Sequence, residues 1–494
     1  MVNKNILLRL VVFLTTSFLI FNSQTVISKD KKIVVGSKTF VESYVLGEIA
    51  KEQLERGGVS TQHKKGMGGT LIMWQAIING SIDAYPEYTG TINEIILRQK
   101  DLSIEEIRSK LSEFGLGVTD DIGFDNTYAF AMREELADKL SITKISDLKK
   151  HPDLKVAFTH EFLKRTDGWE PLSRRYNLNL KNVKGLEHNL AYKAISTGKI
   201  DLMDAFSTDF KIESLNLRTL EDDLKFFPEY KAVYIYRKDI SPKAINLLKE
   251  LEKTIDSEKM IELNAVADNT KSYTQAAAKY FGESEVKSND LLINEFKWIR
   301  EHLSMVFISM LIAILLGIPL GVFCSKPGLL SELILGITGI IQTIPSLALL
   351  AMLVPVLGIS LKTAIAALFF YSLLPIVKNT SSGLKGISQG LRDSAEVLGL
   401  SKWSQLTKIY IPLSSRTILA GIRTSAIINI GTATLAALIG AGGLGEPIVS
   451  GLYLNDNNLI LQGAIPAALL AIVAQWLFNI AEQFLIPRGL KSKI

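Results

Sequence analysis

A two-lobed α/β domain followed by an all-α region of several membrane spans is the fold class that the sequence predicts, on three observations. The chain has 494 residues, more than one hydrophobic core fills. Hydrophobic residues make up 47% of it, with a mean hydropathy of +0.22, high for a soluble protein. That excess is localised: residues 29 to about 290 read as charged globular sequence, whereas residues 302–486 are dominated by long apolar runs. One part of the chain is thus expected in water and the other in a bilayer.

At the N-terminus, Lys4 and Arg9 accompany an apolar stretch from Leu10 to Phe21, then Val26 and Ser28 in a small-residue pattern. Residues 1–28 read as an export signal, either cleaved after Ser28 or retained as an anchor; Val26 is bulkier than the usual residue at such a site. The single cysteine, Cys324, has no partner for an internal disulfide, and the absence of a cysteine near the N-terminus argues against a lipid anchor. The net charge is +5. No block of Lys and Arg interleaved with aromatics occurs in the soluble half, so nucleic acid is not an implied partner.

The soluble domain is expected over residues 29–283. KIVVGSK, from Lys32 to Lys38, reads as a buried strand and a turn, and Phe40 to Leu54 as a helix. The alternation recurs around Val156, Ile200 and Val233, which predicts α/β structure with largely parallel sheets. Extended crossovers are expected near Asn126–Arg133 and Lys231–Lys238. They would divide the domain into lobes of 29–128 with 235–283, and 129–234, closing on a ligand by a hinge.

Residues 284–302 are read as a linker. Asn289 to Glu301 mixes Leu291, Leu292, Ile293, Phe296, Trp298 and Ile299 with charges, which suits either an interfacial helix or a plain connector. The membrane domain, 303–486, carries five stretches of crossing length, near 303–323, 330–355, 362–378, 418–440 and 459–485. Lys385, Arg392, Lys402, Lys408 and Arg416 lie between the third and fourth, and Arg488, Lys491 and Lys493 follow the fifth. Basic residues are retained on the cytoplasmic side, so the loop 379–417 and the tail 487–494 are expected inside the cell. The loop Ala441–Asn458 has no Lys or Arg but has Glu446 and Asp456, as an outer loop would. Parity then places the N-terminal domain outside a cell membrane whose lipid surrounds the spans.

The inner loop reads GLRDSAEVLGLSKWSQLTKIYIPLSSRTILAG from Gly390 to Gly421: an amphipathic helix, a turn at Gly399, and a second helix ending at Ile411 and Pro412. It resembles the coupling loop of ABC importer permeases, with Asp393, Ser394 and Ala395 where Glu-Ala-Ala is usual, a glycine four residues on, and Ile411-Pro412 for the later Leu-Pro. The resemblance implies that Asp393, Ala395, Gly399 and Pro412 shape a helical knob for an ATPase groove. No Walker A pattern occurs in the sequence, so the ATPase is expected to be a separate subunit. The family's use of two permease copies and two cytoplasmic ATPase subunits implies a homodimer of this chain.

Seven strings in the soluble half carry a second resemblance: GSKTF (36–40), GMGGT (66–70), GSIDAYPEYTGT (80–91), NTYAFAMR (126–133), FLKRTDGW (162–169), FSTDF (206–210) and FFPEY (226–230). Over residues 32 to about 283 the chain resembles the glycine betaine, carnitine and choline binding proteins of osmoprotectant importers. This implies a periplasmic-binding-protein fold of type II-like architecture fused to an ABC importer permease. It also implies an aromatic cage of Tyr88 (or Tyr85), Tyr128, Phe206 and Tyr230, with Arg165 and Thr39 for a ligand carboxylate. A quaternary ammonium has no N–H to donate and is well matched to aromatic faces, while a guanidinium fork fits a carboxylate. Where the family often has Tyr, Phe206 lacks a hydroxyl. Tyr85, Tyr128 and Phe206 also suit core packing beside strands, and Arg165 with Asp167 suits a structural ion pair. The five histidines show no metal-ligand spacing and Asp83, Glu87 and Asp209 form no recognisable acid–base pair, so no cofactor, metal or catalytic residue is expected. The expected function is import of a quaternary-ammonium osmoprotectant. The same machine for another trimethylammonium zwitterion, such as ergothioneine, and a ligand-gated channel or sensor are the alternatives.

Overall fold

The computed structural model describes residues 32–283, 290–454 and 456–486. The expected signal (1–28), part of the expected linker and the expected tail (487–494) lie outside the described residues. The chain forms two compact units, residues 31–291 with 447–460 and residues 292–446 with the segment from 461 onward.

The first unit contains two five-stranded sheets. Strands β1 (Ile33–Gly36), β2 (Thr61–Lys64), β3 (Ala84–Tyr88) and β4 (Leu116–Val118) are joined by the returning β10 (Ala232–Arg237), in the order β2-β1-β3-β10-β4. The second sheet is built from β5 (Tyr128–Arg133), β6 (Lys155–Phe158), β7 (Asn182–Gly185), β8 (Leu202–Phe206) and β9 (Leu217–Leu220), in the order β7-β6-β8-β5-β9. The expectation of largely parallel sheets holds for all but one strand of each sheet. In each sheet four strands point the same way, and the strand that enters from the hinge, β10 or β5, lies between two of them and antiparallel to both. A chain that leaves one lobe beside the cleft enters the next sheet from its cleft end, opposite to strands fed by helical crossovers.

The crossovers are shorter than expected. Asp125 bridges Lys231 in antiparallel fashion, and Asn126 N–H donates to the Tyr230 carbonyl at 3.1 Å; beyond these residues both segments are central strands. The lobes therefore divide near 125 and 231, so all of β10 belongs to the first lobe and all of β5 to the second.

The helix Val41–Arg56 buries Val45, Leu46, Ile49, Ala50 and Leu54 against the first sheet. That spacing is the apolar stripe of an amphipathic helix, and each large side chain contributes about 1.5–3 kcal/mol. The helix Ser257–Thr270 starts at Asp256, whose carboxylate accepts from Lys259 N–H, and returns Asn264 to the cleft.

Among the described residues four helices are long and apolar enough to cross a membrane: Glu295–Phe323, Leu361–Lys385, Lys402–Ile439 and Asn457–Phe484. The expected span 330–355 is a broken pair of helices, Leu329–Thr343 and Ser346–Leu357, bent by 104° and counting as a fifth crossing if the pair is one span. The break falls at Ile344-Pro345, where Ile344 is extended (ψ 127), the conformation imposed on a residue preceding proline. The expected helix end at Ile411-Pro412 is corrected. Pro412 stands in the first turn of the helix Ile411–Thr432, directly after the π-helical turn Leu406–Tyr410, and the helical path continues from Lys402 to Ile439. Asp290–Phe323 is one helix of 34 residues, so the stretch read as a linker runs on into the first span.

Glycines set the close approaches of the membrane helices. A Cβ on Gly421 would lie 2.6 Å from the Pro375 carbonyl oxygen, and one on Gly321 would lie 2.5 Å from Thr380 Cβ; small residues allow such contact in membrane bundles. Buried Asn429 donates to Ser309 Oγ (3.1 Å) and Ser372 Oγ (2.7 Å), tying three helices together.

Candidate functional site

The GSKTF loop at the end of β1 is fixed before it presents any side chain to the cleft. Ser37 is fully buried, its Oγ 2.8 Å from His63 Nε2, while His63 Nδ1 meets Glu48 at 3.1 Å. Burial pushes the His63 pKa down against the pull of Glu48. This Ser-His-Glu set has no solvent access and serves to hold the loop. Lys38 N–H donates to Ser43 Oγ, and the Lys38 ammonium pairs with buried Glu87. Thr39 and Phe40 then stand at the start of helix Val41–Arg56, with Thr39 lining the cleft.

Strand register brings the aromatic residues together. Tyr128 and Phe206 are directly opposite on β5 and β8, with ring centroids 5.0 Å apart. Phe206 lies 5.6 Å from Phe40 and Phe40 6.2 Å from Tyr88; on the other side Tyr230 meets Tyr128 edge-on at 5.8 Å. The result is a continuous arc, Tyr88–Phe40–Phe206–Tyr128–Tyr230, drawn from both lobes and the hinge. Phe40 extends the expected set of four rings, although it stood in the GSKTF string. Tyr85 is fully buried; three residues from Tyr88 on an extended strand, it faces the opposite side of the sheet. Gly90 makes room for the arc, since a Cβ there would lie 2.7 Å from the Tyr230 ring and 2.8 Å from the Glu229 carbonyl oxygen.

Arg165 is buried against the arc, its guanidinium 5.4 Å from the Tyr128 centroid and 6.0 Å from that of Tyr230. Its fork is committed to Asp167, at 2.6 Å (Nε to Oδ1) and 2.5 Å. The Tyr230 hydroxyl donates to the same carboxylate at 2.6 Å, and burial beside Asp167 raises the Tyr230 pKa. The pair thus holds two cage rings by ion pairing, a hydrogen bond and cation–π contact.

A small recess, open to solvent, adjoins Phe40 and Phe206 and is also lined by Thr39, Glu42, His188 and Asn264. His188 Nε2 and the Tyr192 hydroxyl both meet Asp209 Oδ2, at 2.9 and 2.7 Å. Burial alone would lower the His188 pKa, but the Asp209 carboxylate outweighs it and the pKa rises. Glu42 lies at the recess wall, 3% exposed, among four hydrogen-bond donors. Nothing in its sequence context had marked it out.

In the membrane unit, the helix Gln389–Val397 carries Asp393 and Ala395 of the expected coupling residues, and Pro412 lies in the helix Ile411–Thr432. Ala395 is buried, and Asp393 accepts from Gln389 Nε2 at 2.8 Å. Gly399 ends the turn at φ +66, the left-handed region where glycine is favoured. Val397, Leu398 and Trp403 are exposed by 88, 72 and 72%, an apolar surface around the knob. Arg392, not singled out by sequence, donates to the Leu384 and Ile387 carbonyls and lies 5.6 Å from the Tyr410 ring. It fixes the knob to the preceding span.

Comparison with known proteins follows the same division of the chain. Residues 31–284 match the model of the substrate binding domain of ABC-type glycine betaine transport systems, and residues 304–488 that of the binding-protein-dependent transport system inner membrane component. A glycine betaine/carnitine/choline transport system permease protein of Bacillus subtilis (strain 168) is 42% identical over 39% of this chain and 88% of its own length. An ergothioneine transport permease/ergothioneine binding protein of Helicobacter pylori (strain G27) is 35% identical over 52% of this chain and 48% of its own. A solved glycine betaine/carnitine/choline ABC transporter structure is 25% identical, covering 51% of this chain and 98% of its own at a TM-score of 0.45.

Proposed function

Because this chain belongs to the family of ABC-type glycine betaine substrate-binding domains, joined here to a binding-protein-dependent permease, we propose that it captures a quaternary-ammonium osmoprotectant between its lobes and passes it through its own membrane half. The observation that carries this reading is the arc of five rings contributed by both lobes and the hinge. A tetraalkylammonium head gains about 0.5–2 kcal/mol from each aromatic face, more as water is excluded. An arc split between lobes is completed only when they close, so ligand binding favours closure.

In this reading Tyr88, Phe40, Phe206, Tyr128 and Tyr230 receive the ammonium head, and Thr39 meets the ligand's other end at the recess. Arg165 positions Tyr128 and Tyr230 rather than gripping a carboxylate. The binding domain is extracytoplasmic, and the loop 379–417 and the C-terminus are cytoplasmic. Two copies of the chain assemble in lipid with two separate ATPase subunits, whose grooves receive the knob around Asp393, Ala395, Gly399 and Pro412. The fusion keeps binder and permease at high effective concentration. The match to a transport inner-membrane component leaves a ligand-gated channel or sensor without support.

The relative bearing the ergothioneine name favours a second reading: the same machine for a larger trimethylammonium zwitterion, its heterocycle in the recess beside His188. Proteoliposomes containing this chain and its ATPase should accumulate labelled glycine betaine, choline or carnitine only with ATP inside the cytoplasmic face. Uptake of ergothioneine alone selects the second reading, and no ATP-dependent uptake of any quaternary amine refutes both.

A further inference from the structure

Glu42 sits in the first turn of helix Val41–Arg56 with both carboxylate oxygens filled. Oε1 accepts from the Tyr88 hydroxyl (2.6 Å) and Asn126 Nδ2 (2.8 Å). Oε2 accepts from the Thr208 hydroxyl and from Asn264 Nδ2 (3.2 Å). Tyr88 and Asn264 belong to the first lobe, Asn126 to the hinge and Thr208 to the second lobe. Two of the four partners are amides that only donate and two are hydroxyls that can donate or accept, so the set can hold Glu42 as the carboxylate or, with one hydroxyl turned to accept, as the acid, and it joins the lobes.

The charges around Glu42 are otherwise matched. Lys38 is paired with Glu87, His188 with Asp209, Lys211 with Asp268 at 3.6 Å, and Arg165 with Asp167. Glu187, at the recess rim, caps its own helix by accepting from Leu190 N–H. Among the described ion pairs none includes Glu42, and Asp209, whose charge acts on it, is of the same sign. A buried anion without a cation is unstable unless something supplies the positive charge. The recess beside Glu42 is walled by Phe40 and Phe206 of the arc, and the Tyr88 ring is hydrogen-bonded to Glu42 directly.

We propose that Glu42 is the counter-charge to the ligand's cationic head and the latch between the lobes, so that capture of a quaternary ammonium releases one proton from Glu42 to solvent. The inference rests on the quaternary-ammonium reading above. Charge balances: a neutral carboxylic acid and a free cation become a carboxylate beside a bound cation, plus a hydrated proton. Coupling runs also through Tyr88. A phenol donating to a carboxylate is polarised toward phenolate, which enriches the ring face that the cation meets. Burial pushes the Glu42 pKa up to about 7, against the lowering effect of Thr208, Tyr88 and Asn264. The proton is therefore exchanged in the neutral range.

The test is calorimetric titration of the full chain in detergent with choline chloride and with glycine betaine, at pH 6 and pH 8, in buffers of different ionisation enthalpy. Binding should release up to about one proton near pH 6, and affinity should fall roughly tenfold per pH unit below 7. Glu42→Gln should abolish proton release and lower the affinity at pH 8 by about tenfold or more, whereas His188→Gln should keep the release. The wild-type buffer series stands alone if the Gln variant does not fold. Tight binding at pH 8 with no proton release and no pH dependence overturns the proposal and leaves the ligand class intact. Release that disappears in His188→Gln and survives in Glu42→Gln also overturns it. Failure of every quaternary amine to bind at pH 8 overturns both.

Discussion

Tyr128 meets more rings than its two neighbours in the arc, with centroids 5.0 Å from Phe206, 5.0 Å from Phe162, 5.8 Å from Tyr230 and 5.9 Å from Phe227. Tyr128→Leu retains apolar bulk but removes the π face. The ligand then loses one cation–π partner, about 0.5–2 kcal/mol, which raises Kd by about 2- to 30-fold. Arg165 loses its contact at 5.4 Å as well, so the domain should lose about 0.5–1 kcal/mol of stability from that source. Tyr128→Phe keeps the face and should bind within about twofold of the parent, because the hydroxyl is not part of the cation contact. The assay is calorimetric titration with glycine betaine and choline, alongside thermal unfolding to separate folding from binding. Equal Kd for the Leu and Phe variants, with both folded, refutes a π contribution at this position. A loss confined to glycine betaine would instead point to a contact with the carboxylate.

Four further outcomes follow from the geometry. Arg165→Leu leaves Asp167 buried with only Tyr230, and breaking a buried pair in this way costs about 3–5 kcal/mol; binding of choline and of glycine betaine should weaken together, whereas a selective loss for glycine betaine would restore Arg165 as a carboxylate ligand. In an NMR titration His188 should protonate above its ordinary value of 6.5, and Asp209→Asn should reverse that shift. Since Asp209 is lowered below 3.8, the pair's stabilisation is fullest between about pH 4 and 6.5. It is lost as pH rises through the folded His188 pKa and, at the other end, as pH falls through that of Asp209. Gly399→Val forces a β-branched residue to φ +66, at about 1–2 kcal/mol, and should reduce ATP-driven uptake while ligand affinity is unchanged. Gly421→Leu, which drives a side chain into the Pro375 carbonyl, should reduce the yield of folded membrane protein, measured by size-exclusion in detergent.

Much of the binding fold was legible because its cues are local. The first strand follows from the run IVVG at Ile33, the strands around Val156, Ile200 and Val233 from the recurring strand-and-helix alternation, and the crossovers from extended segments in matching places. Strand direction was not legible, since whether β10 and β5 run with or against their neighbours depends on the edge at which the chain re-enters. The rings of the arc were named mostly by motif. What brings them together is a cross-strand pair, Tyr128 with Phe206, and no local pattern encodes such a partner. For Arg165 the sequence left two readings, a carboxylate ligand or a partner of Asp167, because only the fold of the loop brings the guanidinium onto that neighbour two positions on. Glu42 was overlooked for a similar reason: an acidic residue in a first helical turn is ordinary, and only the donors from Tyr88, Asn126, Thr208 and Asn264 make it unusual. In the membrane half the break at Ile344-Pro345 had a local cue in the proline, but the hydropathy of the flanking residues continued across it.

A structure of the chain with glycine betaine or choline bound tests most directly whether the arc is the recognition element. The quaternary nitrogen is expected within about 6 Å of several ring centroids among Tyr88, Phe40, Phe206, Tyr128 and Tyr230, with rings of both lobes represented. A ligand held outside the arc, or by rings of one lobe alone, would contradict the account.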